Sequence, residues 1–365
     1  MANLLKTFAL LLSALILVGC WDGSELSDRG FVTTIGIDID KDTDEIETYK
    51  VSLEMPQLTT DNDNPIKDVK TNTHKSLNRA ISGAGSSTEH EIFLGHMKAL
   101  VCGEELLKNG EMFRHVLRTL SGDHNASRTL LVLATKGPGS DVIEAESVEE
   151  SLLGAYISNF FKKKNPSTAH RQTLDSLSRY FSEGKTAILP RIEASDEGLT
   201  FSGAAVMSDY TLRGWLSEEE LLALTWLSPE AKHLELDVSS DDHNFHIEVD
   251  KHKSRFIFFV EDHELLAKIV IDLEGDLAEV PNTANAGRYI IELKARERIH
   301  EDLSKVFHAL YVEMGVDGFN LERELEKNYP HLHRRYIKEL GINTVDIPIL
   351  FDVSVVIDGA DNNVN

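Results

Sequence analysis

The chain has 365 residues, 41% of them apolar, and 37 basic against 61 acidic residues give a formal net charge of −24. That apolar share suits two or three domains with buried cores and excludes a disordered chain. The acidic excess excludes a nucleic-acid binder, because phosphate backbones demand cations and the densest basic cluster is only Lys162-Lys163-Lys164.

The N-terminus reads as an export signal. Lys6 is the only charged residue before Cys20, and an apolar run from Phe8 to Val18 is broken only by Ser13. A membrane span needs roughly 20 apolar residues, so this run is a signal-peptide core instead. It ends in Leu17-Val18-Gly19-Cys20, which resembles the lipobox of bacterial lipoproteins. The chemistry accounts for the pattern: a diacylglyceryl group is attached through the cysteine sulfur, and a peptidase that accepts small residues cuts between Gly19 and Cys20. Residues 1–19 are then a signal peptide and 20–30 a lipidated tether. One acyl chain (palmitate, for example) holds a protein only marginally, and two make retention stable. With Cys20 lipidated, Cys102 has no intrachain partner; its setting in Leu100-Val101-Cys102 reads as a buried apolar strand.

Phe31 to Asp40 and Ile46 to Met55 read as two strands joined by an acidic hairpin. Residues 56–72 contain Pro56 and Pro65 among polar side chains and read as an exposed loop. Leu77, Ala80 and Ile81 predict a helix ending near Gly83. Short strands are expected at Ile92 to Leu94 and Lys98 to Cys102, helices at Leu106-Leu107 and Met112 to Leu120, and a buried strand at Thr129 to Thr135. Helical spacing recurs from Val148 to Phe161 and from Arg171 to Phe181, followed by a strand from Thr186 to Ile192. Asp196-Glu197-Gly198 is the strongest turn signal mid-chain and divides an N-terminal domain, 31–196 and itself divisible in two, from a C-terminal domain, 197–365.

The second half opens with a hairpin, Thr200 to Met207 and Thr211 to Leu216, with Gly203 and Trp215 in its core. Ser217 with Glu220 forms a capping-box pattern. Four segments, His233 to Val238, Asn244 to Asp250, Ser254 to Glu261 and Leu265 to Leu273, read as an antiparallel meander. A long helix is predicted over 288–314, where Ala295, Ile299, Leu303, Val306, Leu310 and Met314 fall on one core-facing stripe and Gly315 stops it. Shorter helices flank Pro330, and a last strand covers Thr344 to Ile357. Strands and helices mix without a regular βαβ period. The expected class is therefore α+β, multidomain, with mainly antiparallel sheets and packed helices.

Catalytic and metal signatures are missing from the sequence. His90-Glu91, His263-Glu264 and His300-Glu301 lack the second histidine of a zinc-protease helix. His331-x-His333 and His243-x2-His246 stand isolated from other ligands. Asp38, Asp40, Asp42 and Asp44 superficially follow a calcium loop, but Thr43 replaces the required glycine and Tyr49 the closing glutamate, so a solvated turn is expected. No nucleophile elbow, P-loop or dinucleotide fingerprint occurs. The reading is a non-enzyme without metal or cofactor.

Several blocks carry a family resemblance. Gly19-Cys20-Trp21-Asp22, Glu25-Leu26 and Ile35-Gly36-Ile37-Asp38 form the first. Leu94-Gly95-His96-Met97-Lys98 then leads into Leu100-Val101-Cys102-Gly103-Glu104-Glu105-Leu106. Phe201-Ser202-Gly203-Ala204-Ala205-Val206 leads into Gly214-Trp215-Leu216-Ser217-Glu218-Glu219-Glu220. Asp317-Gly318-Phe319, Pro330 and the last valine-rich strand follow in order. Together these resemble the Ger(x)C family of spore germination lipoproteins, the C subunits of germinant receptors. The resemblance implies a mixed multidomain fold. It implies a non-catalytic subunit on the outer face of the cytoplasmic membrane, which in a spore is the inner membrane. Its implied partners are a polytopic A subunit and a transporter-like B subunit. Cys20 is the one functional residue it carries over. The rival reading is a solute-binding lipoprotein feeding a transporter, which needs two α/β lobes around a cleft.

Overall fold

The structure is a computed structural model that describes residues 29–41, 45–59, 62–86, 91–145, 152–162, 171–195, 198–228, 234–240, 243–279 and 287–358. Two sheets organise it. In the first half the elements are β1 (Arg29–Phe31), β2 (Thr34–Lys41), β3 (Glu47–Thr59), β4 (Asn62–His74), α1 (Leu77–Gly85), β5 (Glu91–Phe93), β6 (Ala99–Cys102), α2 (Glu104–Lys108), α3 (Gly110–Gly122), β7 (Leu131–Ala134), α4 (Gly139–Glu144), α5 (Leu153–Phe160), α6 (Leu174–Ser182) and β8 (Ala187–Ser195). The hairpin β9 (Gly198–Ser208) and β10 (Thr211–Leu216) completes an eight-stranded sheet in the order β10-β9-β8-β7-β6-β2-β3-β4.

Burial explains that order. Ala99–Cys102 and Leu131–Ala134 are apolar at every position, so they can only sit centrally, covered on both faces. They pair in parallel with each other, and β6 pairs in parallel with β2 on its other side, in register at Thr34, Ala99 and Leu131. Alternation then splits the core. Leu100, Cys102, Val132 and Ala134 face α1, α3 and α6. Ala99, Val101, Leu131 and Leu133 face α4 and α5.

One expected loop is a hairpin. Within that stretch, residues 56–59 belong to β3 and 62–72 to β4, paired antiparallel through Met55–Asp68, Pro56–Lys67 and Gln57–Ile66. The polar composition misled because β4 is an edge strand with its outer side in solvent, where Pro65 interrupts no ladder.

The second half contains α7 (Glu218–Thr225), β11 (Leu234–Ser240), β12 (His243–Glu261), β13 (Glu264–Glu279), α8 (Arg288–Phe307), α9 (Leu321–Asn328) and β14 (Ile349–Asp358). Its sheet runs β11-β12-β13-β14, antiparallel except for the parallel last pair. The two segments expected at 244–250 and 254–261 are one strand of 19 residues. The polar stretch between them does not break it, because His252 Nε2 lies 2.8 Å from the Trp226 carbonyl and Ser254 Oγ donates to the Leu227 carbonyl at 2.8 Å. Those carbonyls end α7, so the polar side chains cap a helix.

The long helix is present over Arg288–Phe307 and widens into π-helical turns over His308–Glu313. Ala295, Ile299, Leu303, Val306 and Leu310 are buried along it, and Met314 packs at its end. Gly315, at φ +63°, turns the chain out of the helix. The fold is thus α+β, as expected.

The halves share β9 and β10. Ala205 and Met207 face the first core, while Ala204 and Val206 face the second. Gly203 makes the bend possible: its φ is +75°, and a Cβ there would lie 2.2 Å from the Leu216 carbonyl oxygen. Asp209 and Tyr210, both at positive φ, form the tight turn.

Candidate functional site

Residues Gly19 and Cys20, the expected cleavage and lipidation site, lie outside the described residues. The other conspicuous side chains can be placed. Cys102 is free and fully buried, and burial together with the neighbouring Asp38 pushes its thiol well up. A thiol held protonated is a poor nucleophile, so this one fills core space.

The acidic hairpin separates its carboxylates. Asp40 is exposed, Asp42 and Asp44 lie outside the described residues, and Asp38 is buried. Asp38 accepts the Gly139 N–H at 2.5 Å and the Ser140 N–H at 3.0 Å. It therefore caps α4 from about a hundred residues away, where a solvated turn was expected. Burial raises its pKa, opposed by those two backbone hydrogen bonds. Gly103 is required beside it, since a Cβ would lie 2.0 Å from Asp38 Oδ1.

Glu54 repeats the device and was missed in the sequence. It is fully buried. Its carboxyl accepts the Leu153 N–H at 2.5 Å, the Gly154 N–H at 3.1 Å, and the Thr33 and Thr34 hydroxyls at 2.5 and 2.8 Å. The helix it caps is α5, on the same face of the sheet as α4. A Glu in an alternating strand gives no sign of a partner so far along the chain.

In the second half, Asp317 accepts the Leu321 and Glu322 N–H groups at 2.8 and 2.9 Å and the Tyr311 hydroxyl at 2.6 Å. Burial raises both the Asp317 and the Tyr311 pKa. Gly318 lies against Leu310, where a Cβ would approach to 2.5 Å. The Asp317-Gly318-Phe319 block is thus a structural corner that starts α9.

The capping box is present in both directions: Ser217 Oγ accepts the Glu220 N–H at 3.2 Å, and the Ser217 N–H donates to Glu220 at 2.7 Å. Trp215 lies half-buried beneath Lys136 and Arg191, whose charges sit 5.8 and 6.0 Å from its ring. The histidines are dispersed. His333 is buried beside Glu322 at 3.4 Å, and His246 pairs with Asp237 at 2.7 Å, a contact that raises its pKa. Among the described residues no group of three metal-ligating side chains forms.

Two adjoining half-open grooves, about 670 and 660 Å³, run along the seam between the halves and share Lys185, Thr186, Asn320 and Arg323. Lys185 and Arg323 both engage Glu183, and Arg255 engages Asp272 at 2.7 Å, so much of the charge there is already matched. Among the described residues lining these grooves no nucleophile, base and oxyanion donors come together. Among the described residues no helix is long and apolar enough to cross a membrane.

Residues 22–194 match the family described as spore germination protein N-terminal domain, and residues 202–359 match the one described as spore germination B3/GerAC like, C-terminal. Spore germination protein YndF of Bacillus subtilis (strain 168) is 23% identical, with 93% of this chain and 92% of that protein aligned. Spore germination protein B3 of the same organism is 20% identical over 87% of each chain, and spore germination protein A3 is 20% identical over 75% and 74%. The crystal structure of the GerBC protein superposes with a TM-score of 0.60 at 18% identity, covering 93% of this chain and all of the other.

Proposed function

The chain belongs to the Ger(x)C family of spore germination proteins, and from that premise we propose that it is the lipid-anchored, non-catalytic C subunit of a spore nutrient germinant receptor. The observation that carries the reading is the pair of family domains, matched in order across nearly the whole chain behind a lipobox. Cys20 bears the diacylglyceryl group after cleavage behind Gly19. The body stands on the outer face of the spore inner membrane and assembles with a polytopic A subunit and a transporter-like B subunit, which sense the nutrient.

The domain division at residue 196 belongs to the same proposal. The two family matches part between 194 and 202, although β8 and β9 hydrogen-bond across that stretch. Structural support for a scaffold role is the use of the notable carboxyl groups: Asp38, Glu54 and Asp317 all cap helices. The second sheet, antiparallel over β11, β12 and β13, is unlike a lobe of the solute-binding alternative.

Deletion of the gene tests the reading. Spores should form with normal morphology and fail to respond to every nutrient of that one receptor. Normal germination with each of those nutrients would sink it. Calorimetry on residues 21–365 separates the alternatives: saturable micromolar binding of a nutrient would favour the solute-binding lipoprotein.

A further inference from the structure

The two large sheets end on four edge strands, β4 and β10 in the first and β11 and β14 in the second. An open edge offers unpaired N–H and C=O groups to any passing strand, so proteins blunt it. Three of these edges are blunted. β4 carries Pro65, Lys67 and Lys70. β10 is six residues long, and its register slips between Leu212 and Gly214. β11 is seven residues long and turns Glu235 and Asp237 to solvent. β14 has none of these devices. Its ten residues pair with β13 without a register shift and include no proline, glycine or lysine. Its one interior charge, Asp352, is held by Lys268 of β13 at 2.6 Å.

The ladder fixes what the free side of β14 presents. The Ala267 N–H donates to the Pro348 carbonyl at 2.9 Å, and Ala267 stands opposite Ile349 in a parallel pair. The even-numbered residues of β14 therefore turn both backbone groups to β13, and the odd-numbered ones turn theirs outward. The Ile357 N–H agrees: it points out and donates to Glu292 of α8 at 3.1 Å. Glu292 thereby closes the edge at its C-terminal end. Phe351, Val353 and Val355 have no such backbone partner on that side among the described residues. Their side chains pack in the core under α8, Phe351 and Val353 half-buried and Val355 buried. On the opposite face Leu350, Asp352, Ser354 and Val356 are exposed, Leu350 by 47% and Val356 by 45%.

We propose that β14 pairs antiparallel with β14 of a second copy of this chain, about a two-fold axis at Val353. The strand is self-complementary about that residue. Centred there, Phe351 lies opposite Val355 of the second copy and Val353 opposite its counterpart, and these pairs exchange the free N–H and C=O groups. Leu350 lies opposite Val356, so the two exposed aliphatic side chains cover each other. Asp352 lies opposite Ser354, and no two carboxylates meet. The neighbouring registers lose this match. Centred at Asp352, the aspartates face each other; centred at Phe351, Leu350 faces Asp352. Centred at Ser354, Asp352 faces Val356; centred at Val355, it faces Asp358. The contact uses the same patch on both copies, as a closed dimer requires, and joins the two second-half sheets into one. Both bodies are acidic, at a formal −24 for the full chain, so their repulsion opposes pairing and is screened beyond about 8 Å at physiological salt. Pairing should accordingly strengthen as salt is raised.

The test uses the full chain in mild detergent, in two differently tagged forms, Asp352→Cys and Ser354→Cys, mixed in equal amounts and oxidised with copper phenanthroline. Both positions are exposed, and the native Cys102 is buried. In the proposed register 352 and 354 of the two copies are directly opposite, with Cα atoms about 4.5 Å apart and within disulfide reach. Like positions lie on the diagonal, about 7–8 Å apart. The mixed disulfide between the two tags should therefore exceed the disulfide of either form alone several-fold, and by more at higher salt. Val353→Pro in both forms removes a backbone N–H that meets no acceptor among the described residues, so it should spare the fold and abolish the excess. Leu350→Lys together with Val356→Lys, both at exposed positions, sets like charges opposite each other and should abolish it too, with an unchanged near-ultraviolet circular dichroism spectrum. A mixed yield no higher than that of each form alone overturns the inference. So does an excess that survives either set of substitutions.

Discussion

The two halves use one device at different range. In the first half, Asp38 and Glu54 reach α4 and α5 across about a hundred residues of sequence. In the second, Asp317 caps α9 only four and five residues ahead. In each case a carboxyl oxygen meets the free N–H groups at the start of a helix. The cost of losing it differs with what surrounds it. Glu54 is closed in by a two-sided sheet, whereas Asp317 stands at a corner of a sheet covered by α8. The first half is held by long-range polar contacts that must all form together; the second by local caps and one continuous apolar stripe.

Glu54→Ala carries the largest expected loss of stability. It strands the Leu153 and Gly154 N–H groups and the Thr34 hydroxyl inside the sheet, while the Thr33 hydroxyl keeps the backbone carbonyl of residue 54 at 3.3 Å. Each buried unpaired group costs about 1–3 kcal/mol, so a loss of roughly 3–5 kcal/mol is expected in urea unfolding. A loss below about 1 kcal/mol would show that α5 does not depend on this cap.

Asp317→Ala should cost less, about 2 kcal/mol, since it removes one local cap and the Tyr311 contact while α8 keeps its buried stripe. Hydrogen exchange should rise in α9 and leave α8 protected. Uniform loss of protection would contradict the local character assigned to this corner.

Asp38→Asn should have the smallest effect, about 1 kcal/mol, because the amide keeps one acceptor for the Gly139 N–H and loses the other. Burial raises the Asp38 pKa above the unfolded value of 3.8, so the folded state holds this proton more tightly. The resulting stability is complete below 3.8 and is lost as pH rises through the folded value. The stability of the native protein minus that of Asp38→Asn should therefore fall across that window and then level. A difference that grows with pH would reverse the sign of the assigned shift.

The same contrast governs what could be read in the sequence. The long helix, its stripe and its stop at Gly315 were legible because periodicity and a terminating glycine are local. So were the Ser217–Glu220 box and the hairpin of Thr200 to Met207 with Thr211 to Leu216. Central β6 and β7 announced themselves by unbroken apolar runs. What failed was non-local. Asp38 looked like part of a solvated turn because its partners lie at 139 and 140. Residues 56–72 looked like a loop because an edge strand need not alternate. The polar stretch before Ser254 looked like a break because the carbonyls that satisfy it end a different helix. For the site the sequence offered Cys20, which lies outside the described residues, and a scaffold surface of the kind proposed would leave no short motif.

Capture of the protein from detergent-solubilised spore inner membrane, followed by mass spectrometry of what comes with it, tests the receptor-subunit reading most directly. The account predicts that one polytopic A subunit and one transporter-like B subunit co-purify with it, in a complex that survives washing in moderate salt. Recovery of the protein with a transport permease and its ATPase, and with neither A nor B subunit, would contradict it.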